Sequence, residues 1–351
     1  MNLRSDFTRP LASRDASVSG WDEPVVARGV RFTLTVLTPV VAGLVLGARG
    51  WLIYALVSAI VSFAADAGGR PEQRLVCMVT GAACVMVGGA LGTLAAGEPV
   101  LIGLLFSFAG IIYAITESLD PLALTASRFL CFGIALGALY LPLTPLGAVM
   151  LAVACLASWV ISCAWDLLRR DWRKWTGPVW ATLWHQMRDT RNKRWPFAAA
   201  VGIAIPCAYA ASLQLGIERP YWAMLTLVLV LRVDFISSRQ LMVERLFGTL
   251  LGVVVAGGYA AAFSSHEALL VGIVLAALAR WPAEQRHGAL GVAALTTFVM
   301  LVLALASTTP GEVSAFLKAR VVDTIVGCVF AVVALYLDRA FGWMGQRWPL
   351  R

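Results

Sequence analysis

The sequence predicts an all-α polytopic membrane protein with about twelve transmembrane helices, arranged as two parallel six-helix repeats. Three observations predict this fold class. Hydrophobic residues fill 60% of the 351 positions and charged residues only 14%, whereas a soluble chain has about 45–50% and about 25%. Long apolar runs recur along the chain, and features of its first half reappear in its second half. This composition excludes a water-soluble globular enzyme and a disordered or collagen-like chain.

A spanning helix needs about 20 mostly apolar residues. No apolar segment with a cleavage site follows Met1 closely, so we expect no secretory signal peptide. The chain divides into a cytoplasmic N-terminal tail (1–31), a first transmembrane block (32–167), a basic Trp-rich linker (168–195), a second transmembrane block (196–338) and a cytoplasmic C-terminal tail (339–351). The expected spans are about 32–48, 51–67, 74–95, 99–116, 121–142 and 146–167, then 196–215, 220–237, 246–264, 268–281, 288–307 and 315–338.

The 28 Lys and Arg residues orient this arrangement. With the N-terminus inside, 23 of them fall on the inner side, three on the outer side (Arg49, Arg219 and Lys318), and two within spans. The distribution obeys the positive-inside rule, so both termini are expected in the cytoplasm. The formal net charge of +8 therefore reflects topology. Membrane lipids are the expected partner, and nucleic acid is not.

The linker 168–195 interleaves aromatic and basic side chains. Five tryptophans (Trp172, Trp175, Trp180, Trp184 and Trp195) alternate with eight Lys and Arg residues. Amphipathic Trp/Arg segments lie in the lipid headgroup region. Two interpretations stay open, namely a linker at the membrane surface and a docking site for a partner.

An internal repeat relates the two transmembrane blocks. Trp51 precedes Arg74 by 23 positions, and Trp222 precedes Arg245 by the same 23. The segments that begin at the two arginines align at an offset of 171. Because each block has six spans and starts inside, the repeats are expected to be parallel.

Two kinds of residue within the spans predict local helix geometry. Pro39 and Pro206 lie in the first span of each block. Proline frees backbone carbonyl groups, so both spans are candidates for a functional break, and a simple bend is the alternative. Small residues four apart allow close helix packing; they occur at Gly43/Gly47, Gly88/Gly92, Gly133/Gly137 and Gly248/Gly252.

Residues 221–252 carry the most specific motif. The family pattern that it resembles is a Tyr-Trp pair opening a span, a basic–acidic turn, and Glu-Arg leading into a glycine-containing span. The matching residues are Tyr221, Trp222, Arg232, Asp234, Arg239, Glu244, Arg245 and Gly248. The chain thereby resembles the fusaric acid resistance protein-like (FUSC) family, which includes bacterial aromatic acid exporters. The later segment containing Arg320, Asp323 and Gly327 is similar to the family's last-span motif.

The resemblance implies a multi-pass protein of the bacterial inner (plasma) membrane that exports small aromatic or organic carboxylic acids, or related toxic compounds. We expect this secondary transport of a small anionic substrate to be proton-coupled. A periplasmic adaptor protein, which some members use, and a homo-oligomer are expected partners. Full-length members usually carry a large cytoplasmic domain between their blocks, whereas about 28 residues separate the blocks here. The family is also distantly similar to plant six-helix anion channels, so an anion channel or passive permease is the second hypothesis. A non-transporting membrane scaffold is the third.

Ionisable groups within spans are costly, at about 2.5–3.5 kcal/mol on insertion scales, and are candidates for function. Arg320 and Asp323 are three apart, so they share a helix face. They either form a structural pair, or Asp323 takes up a proton while Arg320 holds a substrate carboxylate, for which a guanidinium is suited. Arg128 in the fifth span has three interpretations: pairing with another helix, snorkelling to the inner face, or contact with an anion.

The remaining candidates lie near span ends. Tyr221 and Trp222 are interpreted as an aromatic-belt anchor, with stacking on an aromatic substrate as the alternative. Arg232, Asp234, Arg239, Glu244 and Arg245 form either a salt-bridge network at the inner face or a cytoplasmic gate for anions. Five carboxylates lie at the inner ends of spans, and most of them are interpreted as solvated boundary charges: Asp66, Glu117, Asp120, Asp166 and Asp234.

Enzyme chemistry is not predicted. The three histidines are not at ligand spacing with one another, the seven cysteines form no CxxC pair, and no phosphate-binding GxxxxGK[ST] motif occurs. We therefore expect no catalytic residues, no metal site and no cofactor.

Overall fold

Twelve helices and no strand make up the described part of the chain. The computed structural model describes residues 24–46, 51–66, 68, 70–117, 119, 121–169, 180–217, 220–232, 234–263, 265–306 and 310–347. The helices before residue 170 are α1 (Val25–Val45), α2 (Leu52–Ala65), α3 (Pro71–Ala95), α4 (Pro99–Thr116), α5 (Pro121–Leu139) and α6 (Pro145–Arg169). Those that follow are α7 (Trp180–Gln214), α8 (Tyr221–Val230), α9 (Phe235–Ala262), α10 (His266–Arg286), α11 (Gly288–Ala306) and α12 (Pro310–Arg347).

The prediction of a multi-pass helical membrane protein is confirmed. Ten of the described helices are long and apolar enough to cross a membrane. The other two, α2 and α8, are apolar but have only 14 and 10 residues, fewer than the roughly 20 that a full span needs. The expected spans 51–67 and 220–237 are therefore too long, because the backbone becomes extended at Asp66 and Leu231.

Several helices extend into segments that were predicted as tails or linker. Helix α1 begins at Val25, α7 begins at Trp180 within the linker 168–195, and α12 continues to Arg347. Polar residues such as Arg, Lys and Gln are good helix formers, so the loss of apolar character does not end these helices. Residues 1–23 and 170–179 lie outside the described residues, and the two interpretations of the linker stay predictions.

Neither proline breaks its helix. Pro39 lies inside the continuous helix α1 and Pro206 inside the continuous helix α7. The interruptions fall instead after the second helix of each half. Of the two alternatives given above, only the simple bend remains for Pro39 and Pro206.

The helices pair in the same order in both halves. In the first half α3 packs on α5, α2 on α6 and α4 on α5; in the second half α9 packs on α11, α8 on α12 and α10 on α11. The halves meet where α4 packs on α7, α1 on α10 and α5 on α8. The largest buried apolar cluster spans this boundary, since it joins α4 and α5 to α7, α8 and α12.

Glycines allow α3 and α5 to touch backbone to backbone. A Cβ atom added to Gly137 would collide with the carbonyl oxygen of Gly89, and one added to Gly88 would collide with the carbonyl oxygen of Leu130. The small residues predicted from the sequence thus do mediate a close crossing. In the second half, Gly248 meets the carbonyl of Ala289 and the side chain of Val292.

The crossing gives the first prediction. Gly137→Val places two methyl groups against the backbone of α3, so we expect it to destabilise the fold by at least about 1–3 kcal/mol, as overpacking does. The measurement is the thermal midpoint of the detergent-purified protein.

Gly258→Val is the matched control, because a Cβ at Gly258 meets nothing within 4 Å. Equal midpoints for the two variants would contradict a tight α3–α5 crossing.

Candidate functional site

The two short helices occupy the same place in each half, as its second helix. Helix α2 is followed by the non-helical residues Asp66, Gly68 and Arg70, and α8 by Leu231, Arg232 and Asp234. Short or interrupted helices at corresponding positions of two halves mark binding sites in transporters. The surroundings of α2 and α8 are therefore the first place to look for a site.

In the first half, four buried charged side chains from four helices or their ends form a closed ion cluster. Arg74 of α3 donates from Nε to Asp66 Oδ1 at 2.8 Å, and its Nη1 also pairs with Asp166 of α6. Arg31 of α1 pairs with Asp66 at 2.5 Å and donates to the hydroxyl of Ser162 at 3.2 Å. We call Arg31, Asp66, Arg74 and Asp166 the first-half ion cluster.

This cluster is balanced in charge, with two guanidinium groups and two carboxylates. Arg74 is 1% exposed and Asp166 5%. Removing one member of a buried ion pair costs about 3–5 kcal/mol, because its partner is left charged and buried. The interpretation of Asp66 and Asp166 as solvated boundary charges is therefore wrong. Their partners lie up to 92 positions away in the sequence, which span-end position alone could not reveal.

In the second half, Arg245 occupies the position that corresponds to Arg74, at the offset of 171. Its electrostatic neighbours include two further arginines, Arg320 of α12 and Arg280 of α10. Its Nε is buried and has no hydrogen-bond partner among the described residues. Arg245 therefore has repelling cations among its neighbours, whereas Arg74 has carboxylates.

Arg320 lies against the aromatic face of α8. Its guanidinium carbon is 4.2 Å from the ring centroid of Trp222, a distance at which cation–π attraction acts. Arg320 is 4% exposed, and its Nη1 has no hydrogen-bond partner in the described part of the chain. Asp323, one turn further along α12, is fully buried and interacts electrostatically with Arg320. The predicted proximity of these two side chains is therefore present.

Helices α8, α9 and α12 bring these groups together. Met242, Arg245 and Thr249 are spaced three and four apart on α9, which places them on one face, and the Met242 carbonyl lies 4.0 Å from the sulfur of Cys328 on α12. Gly327 packs against Ala223 and Thr226 of α8, where a Cβ would come within 2.7 Å of the Ala223 carbonyl oxygen.

Further buried polar atoms on these helices have no described hydrogen-bond partner, among them Trp222 Nε1 and the hydroxyls of Thr226 and Thr249. Buried polar groups are normally hydrogen-bonded, so a concentration of such groups indicates a place where something else binds. We call Trp222, Thr226, Arg245, Thr249, Arg320 and Asp323 the second-half polar cluster.

A separate set of contacts joins the first half to the end of α8. The Tyr113 hydroxyl on α4 donates to the Leu231 carbonyl at 2.6 Å, and Arg232 Nη1 donates to the Tyr113 hydroxyl at 3.3 Å. Arg232 also lies 3.9 Å from Glu117. Arg128, whose role the sequence left open, lies with its guanidinium 5.9 Å from the Tyr113 ring centroid.

The charged residues of the motif lie at different places rather than in one cluster. Asp234 caps α9 by accepting a hydrogen bond from the Ser237 amide at 2.9 Å, and hydrogen bonds from the side chain and backbone of Ser237 lower the pKa of this exposed carboxyl. Glu244 accepts from Gln240 at 2.8 Å, and Arg239 is exposed. Arg232 is at the α4–α8 junction, and Arg245 is in the second-half polar cluster.

The two aromatic residues of the motif also differ from each other. Tyr221 is 2% exposed, and its ring centroid lies 5.1 Å from that of Tyr140 on the far side of the α5–α8 contact. This burial does not fit a belt anchor, which sits at the membrane–water interface. Trp222 is covered by Arg320, so it belongs to the site.

Sequence reasoning missed Tyr113, Thr226, Thr249 and Arg280 as neighbours of the candidate residues. Apolar runs contain many Thr and Tyr residues, and only the packing shows which of them face charged groups. Among the described residues, no group of three or more His, Cys, Asp or Glu side chains is placed to hold a metal ion.

Comparison with known proteins confirms the resemblance for the second half. Residues 203–334 match the model of a family described as fusaric acid resistance protein-like. An uncharacterized protein of Synechocystis sp. (strain ATCC 27184 / PCC 6803 / Kazusa) is 32% identical over 132 residues, which cover 37% of this chain and 16% of that protein. No solved structure matches the chain. The matched family segment contains every member of the second-half polar cluster.

The contrast between the two arginines gives the second prediction. Arg74→Gln leaves two buried carboxylates without their main partner, so we expect the free energy of unfolding to fall by about 3–5 kcal/mol. Arg245→Gln removes a cation with no described ion pair, so its thermal midpoint should stay near that of the wild type or rise. Thermal unfolding of both variants in the same detergent is the measurement. A larger loss in Arg245→Gln than in Arg74→Gln would refute this assignment.

Proposed function

We propose that this chain is an inner-membrane secondary transporter that exports small aromatic or organic carboxylic acids, or related toxic compounds, through the second-half polar cluster. The observation that carries the proposal is a buried site with excess positive charge beside an aromatic ring. The match to the fusaric acid resistance protein-like family supports a transporter-type protein, and the site supports an anionic cargo.

The residues of the cluster suit an aromatic carboxylate. The planar guanidinium of Arg320 matches a carboxylate group bidentately. The substrate ring can pack beside Trp222, while the hydroxyls of Thr226 and Thr249 offer hydrogen bonds to ring substituents. Arg245 adds a second positive charge, which stabilises the bound anion further.

Two parallel six-helix repeats, with both termini in the cytoplasm of a bacterial cell, are part of the proposal. The recurring helix pairs, the short second helices and the 171-residue offset between Arg74 and Arg245 support the repeat. The distribution of Lys and Arg supports the orientation. In this arrangement the first-half ion cluster stabilises a scaffold, and the unbalanced second half binds substrate. A periplasmic adaptor and a homo-oligomer stay predictions.

Asp323 is the proposed proton acceptor. When it is ionised, its negative charge compensates Arg320. When it is protonated, Arg320 is available to a substrate carboxylate, so a proton and the anion bind together. Arg320 and Asp323 are buried on one helix face, which allows one to respond to the charge of the other.

A passive anion permease or channel is the second candidate. The excess positive charge of the cluster favours it, because such a site attracts anions without any coupled ion. The membrane potential acts on each charge with about 2.3 kcal/mol per 100 mV, and an inside-negative potential drives anions outward. A permease would need no proton step at Asp323.

A flux assay in reconstituted vesicles tests the proposed function. Vesicles loaded with a panel of aromatic and aliphatic carboxylates are diluted into buffer with or without an imposed proton gradient, and efflux is followed. We expect wild-type protein to accelerate efflux of at least one aromatic acid, and Arg320→Gln to lose at least tenfold of that rate. If every acid in the panel leaves the vesicles no faster than it leaves protein-free vesicles, the proposal is overturned.

The proton step gives the third prediction. Asp323→Asn keeps the shape of the side chain but cannot ionise, so we expect pH-dependent flux to disappear while the protein still folds. The measurement is the ratio of flux with and without a proton gradient, together with the elution profile of the purified variant. Wild-type pH dependence in Asp323→Asn would remove Asp323 from the mechanism and favour the permease.

A further inference from the structure

The charges around Arg245 do not balance among the described side chains. Three arginines, Arg245, Arg280 and Arg320, are electrostatic neighbours. The carboxylates that accompany them are Asp323, which interacts with Arg320, and Glu284, which pairs with Arg280. The neighbours that act on Arg245 itself are Arg320, Arg280 and Cys328, and none of them is a carboxylate, so Arg245 has no counter-ion among its described electrostatic neighbours.

An uncompensated guanidinium in this position is expensive. Moving a charge out of water carries a penalty of several kcal/mol even after the protein relaxes. Arginine keeps its proton at neutral pH in proteins, so it does not escape the penalty by becoming neutral. The charge therefore needs an anion from outside the chain.

Donor atoms for such an anion are already in place. Arg245 Nε, Arg320 Nη1 and Trp222 Nε1 are buried N–H groups with no hydrogen-bond partner among the described residues. They come from α9, α12 and α8, three helices that pack on one another. All three atoms are donors, and the hydroxyls of Thr226 and Thr249 can donate as well.

The first half shows what the fold does when the chain itself supplies the counter-charge. There, Arg74 at the corresponding position binds Asp66 and Asp166, and both arginines of the cluster have carboxylate partners. Arg245 has no such carboxylates among its described electrostatic neighbours. We take this difference to indicate a site whose anion comes from solution.

We propose that a small monovalent inorganic anion, for which chloride is the probe, occupies the second-half polar cluster whenever the organic substrate is absent. The single excess charge favours a monovalent anion over a divalent one such as sulfate. This inference rests on the proposed function in one respect: the two anions use the same arginines, so they exchange. Organic anion efflux is then faster when chloride is present on the opposite side of the membrane.

Direct binding is the first test. Purified protein is equilibrated with radiolabelled chloride in a buffer whose other anion is the bulky isethionate, at constant ionic strength. We expect saturable binding of one chloride per chain and a thermal midpoint that rises with chloride concentration. The same titration with sulfate should give at least a tenfold weaker effect.

Matched variants locate the anion. Arg245→Gln and Arg320→Gln should both lose at least tenfold of the chloride affinity, while Arg245→Lys, which keeps the charge, should retain part of it. Arg286→Gln is the control, because Arg286 is exposed at the end of α10 and should bind chloride as the wild type does. Elution profiles and midpoints measured in isethionate confirm that each variant is folded.

The outcomes separate the two proposals. Absence of saturable chloride binding, binding of sulfate alone, or binding unchanged in both glutamine variants would overturn the resident anion, even if organic acids are transported. Chloride binding that is lost in both glutamine variants supports it, even if no organic acid in the panel is transported. In vesicles that do transport an acid, we expect external chloride to raise its efflux at least twofold over isethionate, and equal rates would contradict exchange.

Discussion

The buried guanidinium group is the constraint on which this structure depends. An arginine in an apolar helical bundle requires a counter-charge, because the interior offers no water to solvate it. The first half meets the requirement with Asp66 and Asp166, which bind Arg74 from the end of α2 and from α6. The second half places Arg245 among other arginines. The first arrangement stabilises the fold, and the second is the one that we propose to bind an anion.

The short helices explain how the arginines reach these positions. Helix α2 ends at Ala65, so Asp66 can turn back toward Arg31 and Arg74. Helix α8 ends at Val230, and its next carbonyl, that of Leu231, accepts a hydrogen bond from Tyr113 of the first half. This contact satisfies one of the acceptors that a helix end leaves open. The interrupted helix of the second half is thereby tied to the scaffold of the first, close to Arg232 and Arg128.

The sequence predicts the membrane class, most helix positions and the motif, because hydropathy and local spacing determine them. It places Arg320 and Asp323 one turn apart on a helix, and these two side chains interact electrostatically. It does not predict the partners of Arg74, because Asp166 is 92 positions away and its pairing depends on how α3 and α6 pack. It also overestimates the length of α8, since apolar side chains continue beyond Val230, the last residue of the helix. Only the folded structure shows that Arg245 has arginines as electrostatic neighbours, whereas Arg74 has carboxylates.

The electrostatics of the second-half cluster also limit how export can be driven. If Asp323 must be protonated before a carboxylate binds Arg320, the proton and the anion travel in the same direction, and an inward proton gradient opposes export. An inside-negative potential instead favours the movement of an anion alone, by about 2.3 kcal/mol per 100 mV. Exchange for an external inorganic anion avoids the cost of returning an empty, positively charged site. Exchange of one monovalent anion for another moves no net charge, so the proposed exporter would depend on the gradients of the two anions, with Asp323 setting how strongly Arg320 holds its anion.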